Sequence, residues 1–366
     1  MRLSFGSLGN SNVSPYYYDE TFGISNSRYI NGGIYRKTSA PDPIPGNLTW
    51  ETSRTYNLGL DLGFFQDRLS LSGDIYLRKT LDMFTDGPTI QAVYGAASPK
   101  GNYAELSTRG FELSVSWKDD FKLGNRNFSY NVKATLSDNV SKIDRFNNAL
   151  KNIGGRNTPE YYEGMIIGEI WGFVCNGLWQ SQEEIDAAEA GARAAGQGHY
   201  DTLFQFSSDY SMHPGDMKIE DLNGNGYLDR GDQTLSNPGD RTIIGNSAPR
   251  FCYSFSLGAE WNGIYASVFF QGVGRQDCVP TGPMIWGQYN RQYNQIPKWM
   301  MGNYWTEDNP DAYLPRYSSR TKAFYEMSRR ATSRYIQDVS YIRLKNIQVG
   351  YNLPEKWLKP IHVSKA

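Results

Sequence analysis

The stretch Asp221-Leu222-Asn223-Gly224-Asn225-Gly226-Tyr227-Leu228-Asp229-Arg230-Gly231-Asp232 spaces its oxygens like a calcium-binding loop. Such loops ligate from positions one, three, five, seven, nine and twelve, with glycine at six for the sharp turn. Here the ligands would be Asp221, Asn223, Asn225, the Tyr227 carbonyl, Asp229 and Asp232. An all-oxygen set points to Ca²⁺ in a bracing role. Asp232 stands where glutamate is usual, which shortens its reach, and no flanking helices are evident. The alternative is an Asp/Asn/Gly turn whose side chains cap their own backbone.

A second set is aromatic. Trp286, Tyr289, Tyr293, Trp299, Tyr304 and Trp305 crowd one segment, 282–305. Flat apolar faces with polar handles suit stacking on sugar rings. The alternatives are packing within a loop and contact with a partner protein. Catalytic chemistry has little to work with. There are 3 His (His199, His213, His362) and 3 Cys (Cys175, Cys252, Cys278), and the cysteines have neither disulfide nor metal-pair spacing. Glu183-Glu184 reads as a solvated helix N-terminus. No Ser/His/Asp arrangement, phosphate loop or zinc motif is present, so the chain is not expected to be an enzyme. A net charge of −1 makes no case for nucleic acid.

What positions these residues is a set of alternating strands. In FELSVSW (111–117), FSYNVKATLS (128–137), FCYSFSLGAEW (251–261) and LSLSGDIYL (69–77), apolar and polar residues alternate. Each run has one oily and one wet face. Strands are expected at about 1–8, 52–65, 68–81, 103–118, 127–142, 251–261, 264–274 and 338–352, with another starting near Ile361. The final strand breaks phase at Lys345-Asn346, the mark of a bulge.

The connections alternate in length. Gln66-Asp67, 119–127, Asn262-Gly263 and 353–360 are short, whereas 9–51, 82–102, 143–250 and 275–337 are long. Asn-Gly between alternating runs is a hairpin signal. A soluble sandwich has no reason to collect its long connections at one end. A transmembrane barrel does, with short periplasmic turns and long external loops. Its strands are apolar on one side only, which agrees with a mean hydropathy of −0.58. The face Phe251, Tyr253, Phe255, Leu257, Ala259, Trp261 begins and ends in aromatics, as an interfacial girdle would. Within the long connections, 181–196 predicts a helix capped by Ser181 with Glu184 at N3, a capping box. The first residues lack a basic stretch followed by an apolar one, so no signal peptide is read there.

Several long motifs occur in order along the chain: NLTWETSRTYNLGLDLGFFQDRLSLSGDIYLRKTLDMF (47–84), PGDMKIEDLNGNGYLDRGDQT (214–234), SFSLGAEWNGIYASVFFQGVG (254–274) and SYIRLKNIQVGYNLP (340–354). Together they resemble the barrel of SusC/RagA-type TonB-dependent transporters of Bacteroidetes. The resemblance implies an all-β protein, an antiparallel transmembrane segment of a 22-stranded barrel with long, partly helical extracellular loops. It implies residence in the bacterial outer membrane, among its lipids. It also implies import of oligosaccharides or peptides with a SusD-like surface lipoprotein as lid and TonB as energy source. Residues 1–366 would be a partial barrel of about eight strands, the N-terminal plug domain and last strands lying elsewhere. Eight strands of a wider barrel cannot close by themselves. The competing expectation is a soluble extracellular β-sandwich that binds glycans.

Overall fold

A computed structural model describes residues 1–354 apart from 12–18, 20–21, 31, 40, 42, 45, 47, 88–92, 94, 96–97, 155–159, 205–210, 290–293 and 318–330. The strand expected near Ile361 and part of the turn 353–360 lie outside the described residues.

The chain begins with β1 (Arg2–Asn10) and a hairpin, β2 (Ile24–Ile30) and β3 (Gly33–Thr38). Four long strands follow: β4 (Glu51–Phe64), β5 (Leu69–Asp86), β6 (Lys100–Leu123) and β7 (Arg126–Arg145). Short strands β8 (Glu169–Phe173) and β9 (Cys175–Leu178), helix α1 (Gln182–Ala194), then β10 (Met217–Ile219) and β11 (Arg241–Asn246) fill the next connection. The long hairpin β12 (Arg250–Trp261) and β13 (Ile264–Arg275) precedes β14 (Asp277–Cys278), helix α2 (Pro283–Trp286), β15 (Gln337–Asp338) and β16 (Tyr341–Tyr351).

Eight of these strands make one antiparallel sheet in the order β1-β4-β5-β6-β7-β12-β13-β16. Neighbours in the sheet are neighbours among the long strands of the sequence, so the sheet is a meander. Strand direction therefore alternates, and the β4–β5, β6–β7 and β12–β13 turns fall at one end. The connections β1–β4, β5–β6, β7–β12 and β13–β16 fall at the other.

The sheet turns are tighter than the sequence suggested. β6 and β7 pair as far as Leu123↔Arg126, so only Gly124-Asn125 turns the chain. Residues 119–123 and 126–127 are strand, because their alternation continues through Phe121 and Phe128. Asn262 and Gly263 both have positive φ (52° and 84°), as the twist-compatible two-residue hairpin requires. At the other end, β5 runs to Asp86 past a break where Asp82 adopts φ 53°, which shortens the expected 82–102 connection to 87–99. The β2–β3 hairpin inside the first long connection was not anticipated. In β16 the register slips where Phe269 pairs with Asn346 and Phe270 with Leu344, leaving Lys345 as the extra residue of the expected bulge.

Residues paired across an antiparallel ladder share a face. One continuous row is Leu60, Gly73, Leu113, Leu136 and Tyr253; the next but one holds Leu62, Leu71, Val115, Ala134 and Phe255. This apolar face is uncovered among the described residues: Leu113 is 48% and Leu257 45% exposed. The sandwich expectation requires a second sheet there, and the described residues contain none. No described helix is long and apolar enough to cross a membrane.

Candidate functional site

The two longest connections fold together above the sheet. Phe173, Leu178, Met217, Ile219 and Leu228 from the first pack with Trp286, Tyr289, Met300, Leu314 and Tyr335 from the second. Backbone bonds stitch them: Phe173 N–H donates to Ala331 O at 2.9 Å and Ser333 N–H to Phe173 O at 2.9 Å. The Arg316 guanidinium meets the buried Asp216 carboxylate at 2.8 Å. Helix α1 forms where its cap predicts, with Ser181 accepting from the Glu184 N–H at 3.3 Å. The capping box is not reciprocal, because the Glu184 carboxylate reaches Lys218 Nζ at 3.3 Å instead.

The acidic loop is held by its own amides. Asp221 accepts from Gly224 N–H (2.7 Å), Asn225 N–H (3.3 Å) and Gly226 N–H (2.7 Å). Asp229 takes the Asn225 amide at 2.6 Å and the Gly231 N–H. Asp232 accepts from the Asn237 amide at 3.0 Å. Asn223 accepts from Asn225 N–H at 3.0 Å, and Asn225 from Tyr227 N–H at 3.1 Å. These are the self-capping bonds of Asx-rich turns. Among the described residues, no three His, Cys, Asp or Glu side chains gather closely enough to hold a metal.

The loop has an anchor that sequence reasoning missed. Asp240, fully buried, accepts from Leu222 N–H (2.8 Å), Asn223 N–H (3.3 Å) and Asp229 N–H (2.7 Å). Burial pushes its carboxyl up to about 6, against the pull of those amides. Tyr200 donates to Ile219 O at 3.0 Å, and its hydroxyl is pushed up by burial and by Asp221, Asp240 and Asp201. Arg241, next in sequence, is buried on β11 and donates to Gly154 O at 2.6 Å. Burial pulls its guanidinium down to about 10, with Arg230 adding to the effect. The only sequence signal for Asp240 was its place eight residues beyond the motif, with no spacing rule to select it.

The aromatic set divides. Trp286 and Tyr289 are 2% and 1% exposed. Trp286 lies edge-on to Tyr335 at 5.4 Å, and Tyr289 is stacked on Tyr317 at 5.2 Å. Their rings are committed to the loop core, so as placed they offer no face to a sugar. Trp299 is exposed, and Trp305 is half-buried with its indole N–H on Gln180 Oε1 at 3.3 Å. Tyr304 is tilted against Tyr317 at 4.3 Å. Tyr293 lies outside the described residues.

The polar face of the sheet is wired. Arg2 bridges Asp61 at 2.8 Å and Asp74 at 3.0 Å, and Ser72 donates to Asp61 at 2.8 Å. Thr135 and Ser254 share a hydrogen bond of 2.7 Å. At the short-turn end this face lines an open cavity of about 740 Å³, with Lys118, Asp120, Asn131, Glu260 and Ser267 around it.

The fold thus defines a class: a long-stranded antiparallel meander, apolar on one face, polar on the other, and capped by folded loops at one end. No family model matches the chain. Among curated proteins it is 30% identical to TonB-dependent receptor P3 of Formosa agariphila, across 98% of this chain and 32% of that protein. It is 23% identical to TonB-dependent receptor SusC of Bacteroides thetaiotaomicron, across 98% of this chain and 32% of that protein. Among solved structures it superposes on the RagAB peptide transporter with a TM-score of 0.65 and 20% identity, over 100% of this chain and 35% of that one. The chain spans about a third of the length of the curated relatives it matches. It is a relative of the TonB-dependent receptors of SusC/RagA type, as its motifs indicated.

Proposed function

We propose that residues 1–366 form part of the wall and external cap of a TonB-dependent importer in the bacterial outer membrane, contributing about eight strands to a larger closed barrel. The observation that carries this reading is the uncovered apolar face, on a sheet whose turns are short at one end and folded at the other. In water such a face would be a liability. Against acyl chains it is the solvated surface, and the wired polar face lines the lumen. Among the described residues β1 and β16 are the edges of the sheet, and they require further strands, since an unpaired edge is not tolerated in hydrocarbon.

The cargo is an oligosaccharide or a peptide, taken up with a SusD-like surface lipoprotein and driven by TonB. The relatives named for TonB dependence and for peptide transport support this. The chain's role is conduction, with no chemical step. Of the described members of the 286–305 aromatic set, Trp299 and Trp305 are the tryptophans placed to meet cargo or lid. The test is uptake of labelled oligosaccharides and peptides by cells expressing the full-length receptor, with and without TonB. TonB-dependent entry of one class is the expected result; entry of neither overturns the reading.

Calcium remains a candidate brace for the cap. The support is sequence spacing: Asp221, Asn223, Asn225, the Tyr227 carbonyl, Asp229 and Asp232 fall at the ligand positions. To coordinate, Asp221 would exchange three amide hydrogen bonds for the ion. Calorimetric titration of Ca²⁺ into the full-length receptor, beside an Asp221→Ala/Asp229→Ala variant, should give heat only in the parent. Equal heats in both would remove calcium from the account.

A further inference from the structure

The register places a row of unneutralised cations on the apolar face, at the long-connection end. Ser7, Arg54, Lys79, Ser107 and Lys142 pair in succession across β1, β4, β5, β6 and β7, and so share one face. The adjoining row is Phe5, Tyr56, Leu77, Arg109 and Val140, which puts Arg109 diagonally between Lys79 and Lys142. The rows beyond it, as far as the one holding Trp117 and Val132, are apolar apart from Asp138, which is neutralised by Arg250 at 2.5 Å. Four cations on four adjacent strands therefore sit where the hydrocarbon-facing band ends.

All four are exposed, and among the described residues none is in an ion pair. Of the nearby acids, Glu105 and Asp82 both bind Arg145, while Asp144, above Lys142, takes the Ser107 hydroxyl at 2.9 Å and is the one carboxylate beside the row without an ion pair among the described residues. Arg54 and Lys79 stand directly opposite one another, where like charges repel unless an anion meets them. The short-turn rim of the same face differs: its Arg68 is neutralised by Asp119 at 3.1 Å, and aromatics such as Phe121 and Phe128 flank the band. A whole-chain net charge of −1 conceals this local asymmetry.

We infer that Arg54, Lys79, Arg109 and Lys142 form a binding surface for phosphate-bearing lipid headgroups in the leaflet on the long-connection side. The inference rests on the membrane reading proposed above. Acyl chains would lie along the Leu58, Ile75 and Phe111 row, and the phosphate would rise to the cations. Guanidinium forks and flexible ammonium groups are the donors such an oxyanion requires. Charge complementarity selects an anionic lipid here, because a zwitterionic headgroup supplies its own cation.

The test uses the full-length receptor in nanodiscs of phosphatidylcholine, with and without phosphatidylglycerol, and counts retained lipid by native mass spectrometry. The variant is Arg54→Gln/Lys79→Gln/Arg109→Gln/Lys142→Gln. Wild type should retain phosphatidylglycerol, and each neutralised cation should lower that retention about fivefold. A charge-preserving Arg54→Lys/Arg109→Lys variant should keep most of it, which separates loss of charge from misfolding. Equal retention by wild type and the quadruple variant overturns the inference. So does displacement of the lipid by excess inorganic phosphate, which would mark a site for the free anion. Failure of the wild type to insert even into phosphatidylcholine discs would instead strike the membrane reading itself.

Discussion

In the sheet, Leu113 and Leu257 are 48% and 45% exposed, whereas in the cap Met300 and Leu314 are fully buried. The two regions have the same kinds of apolar residue and opposite arrangements. Cap residues as far apart in sequence as Phe173 and Ser333 meet, and the core they enclose is buried within the chain. Sheet residues meet only their ladder neighbours, and their outer half waits for another medium. On the proposed membrane reading the protein has two solvents, and substitutions should obey different rules in each.

The largest effect should come from the cap's buried ion pair. Arg316→Ala removes the cation from the buried Asp216 carboxylate, which keeps the His213 N–H at 2.8 Å, and costs about 3–5 kcal/mol. Leu314→Ala opens a cavity in the same core at about 2–5 kcal/mol. Both should lower the cooperative unfolding midpoint of the cap, followed by its tryptophan fluorescence. Leu257→Ala on the sheet should do much less, because acyl chains refill the space; a loss as large as that of Leu314→Ala would erase the distinction between the regions.

Charge reverses the order of sensitivity on the sheet itself. Leu257→Arg should cost about 2–4 kcal/mol when the receptor is refolded into lipid vesicles, while Ser256→Arg on the opposite face costs little. Equal penalties at these adjacent positions would mean that the two faces meet the same solvent.

The cap should also respond to pH through Asp240. Its carboxyl is raised to about 6 when folded, against 3.8 in the open chain, so the folded loop binds the proton more tightly. The associated stability is fully present below about pH 4 and is lost as pH rises through about 6, amounting to no more than roughly 3 kcal/mol. Normalised amide protection of Leu222 and Asp229 should therefore be higher at pH 4.5 than at pH 7.5. Asp240→Asn should flatten that dependence, and also weaken the loop, since one acceptor becomes a donor facing an N–H.

The smallest effect is expected at the Asn262-Gly263 turn. Gly263 has φ 84°, so Gly263→Ala should cost about 1–2 kcal/mol through backbone strain. The ladder Trp261↔Ile264 beside it should survive, visible as unchanged strand content by circular dichroism.

These two regions were also unequally legible. Sheet strands declare themselves through a period of two, so FELSVSW and FCYSFSLGAEW each show an oily and a wet face, and the alternation of short and long connections adds direction. Turn chemistry located Asn262-Gly263 for the same local reason. The β6–β7 hairpin is tighter than the expected 119–127 connection, because charged residues such as Asp120 and Lys122 look like loop yet sit on the wet face of an uninterrupted strand. The cap resisted because its core is non-local: nothing near Trp286 or Tyr289 announces Tyr335 or Tyr317 as neighbours. Asp240 was invisible for that reason too, being chosen by three amides of a loop up to 18 residues away. The Asp221 motif lies in a loop whose geometry is set by backbone donors that no spacing rule counts.

The central claim is that the apolar face of the sheet meets lipid. It can be tested by placing a single fluorophore at Leu60→Cys, Leu113→Cys or Leu257→Cys, with Asp61→Cys and Ser256→Cys as counterparts, in a full-length receptor lacking Cys175, Cys252 and Cys278. Brominated acyl chains should quench the first three and spare the other two, while aqueous iodide does the reverse. Equal quenching by bromine on both faces, or none on Leu113→Cys and Leu257→Cys, would contradict the account.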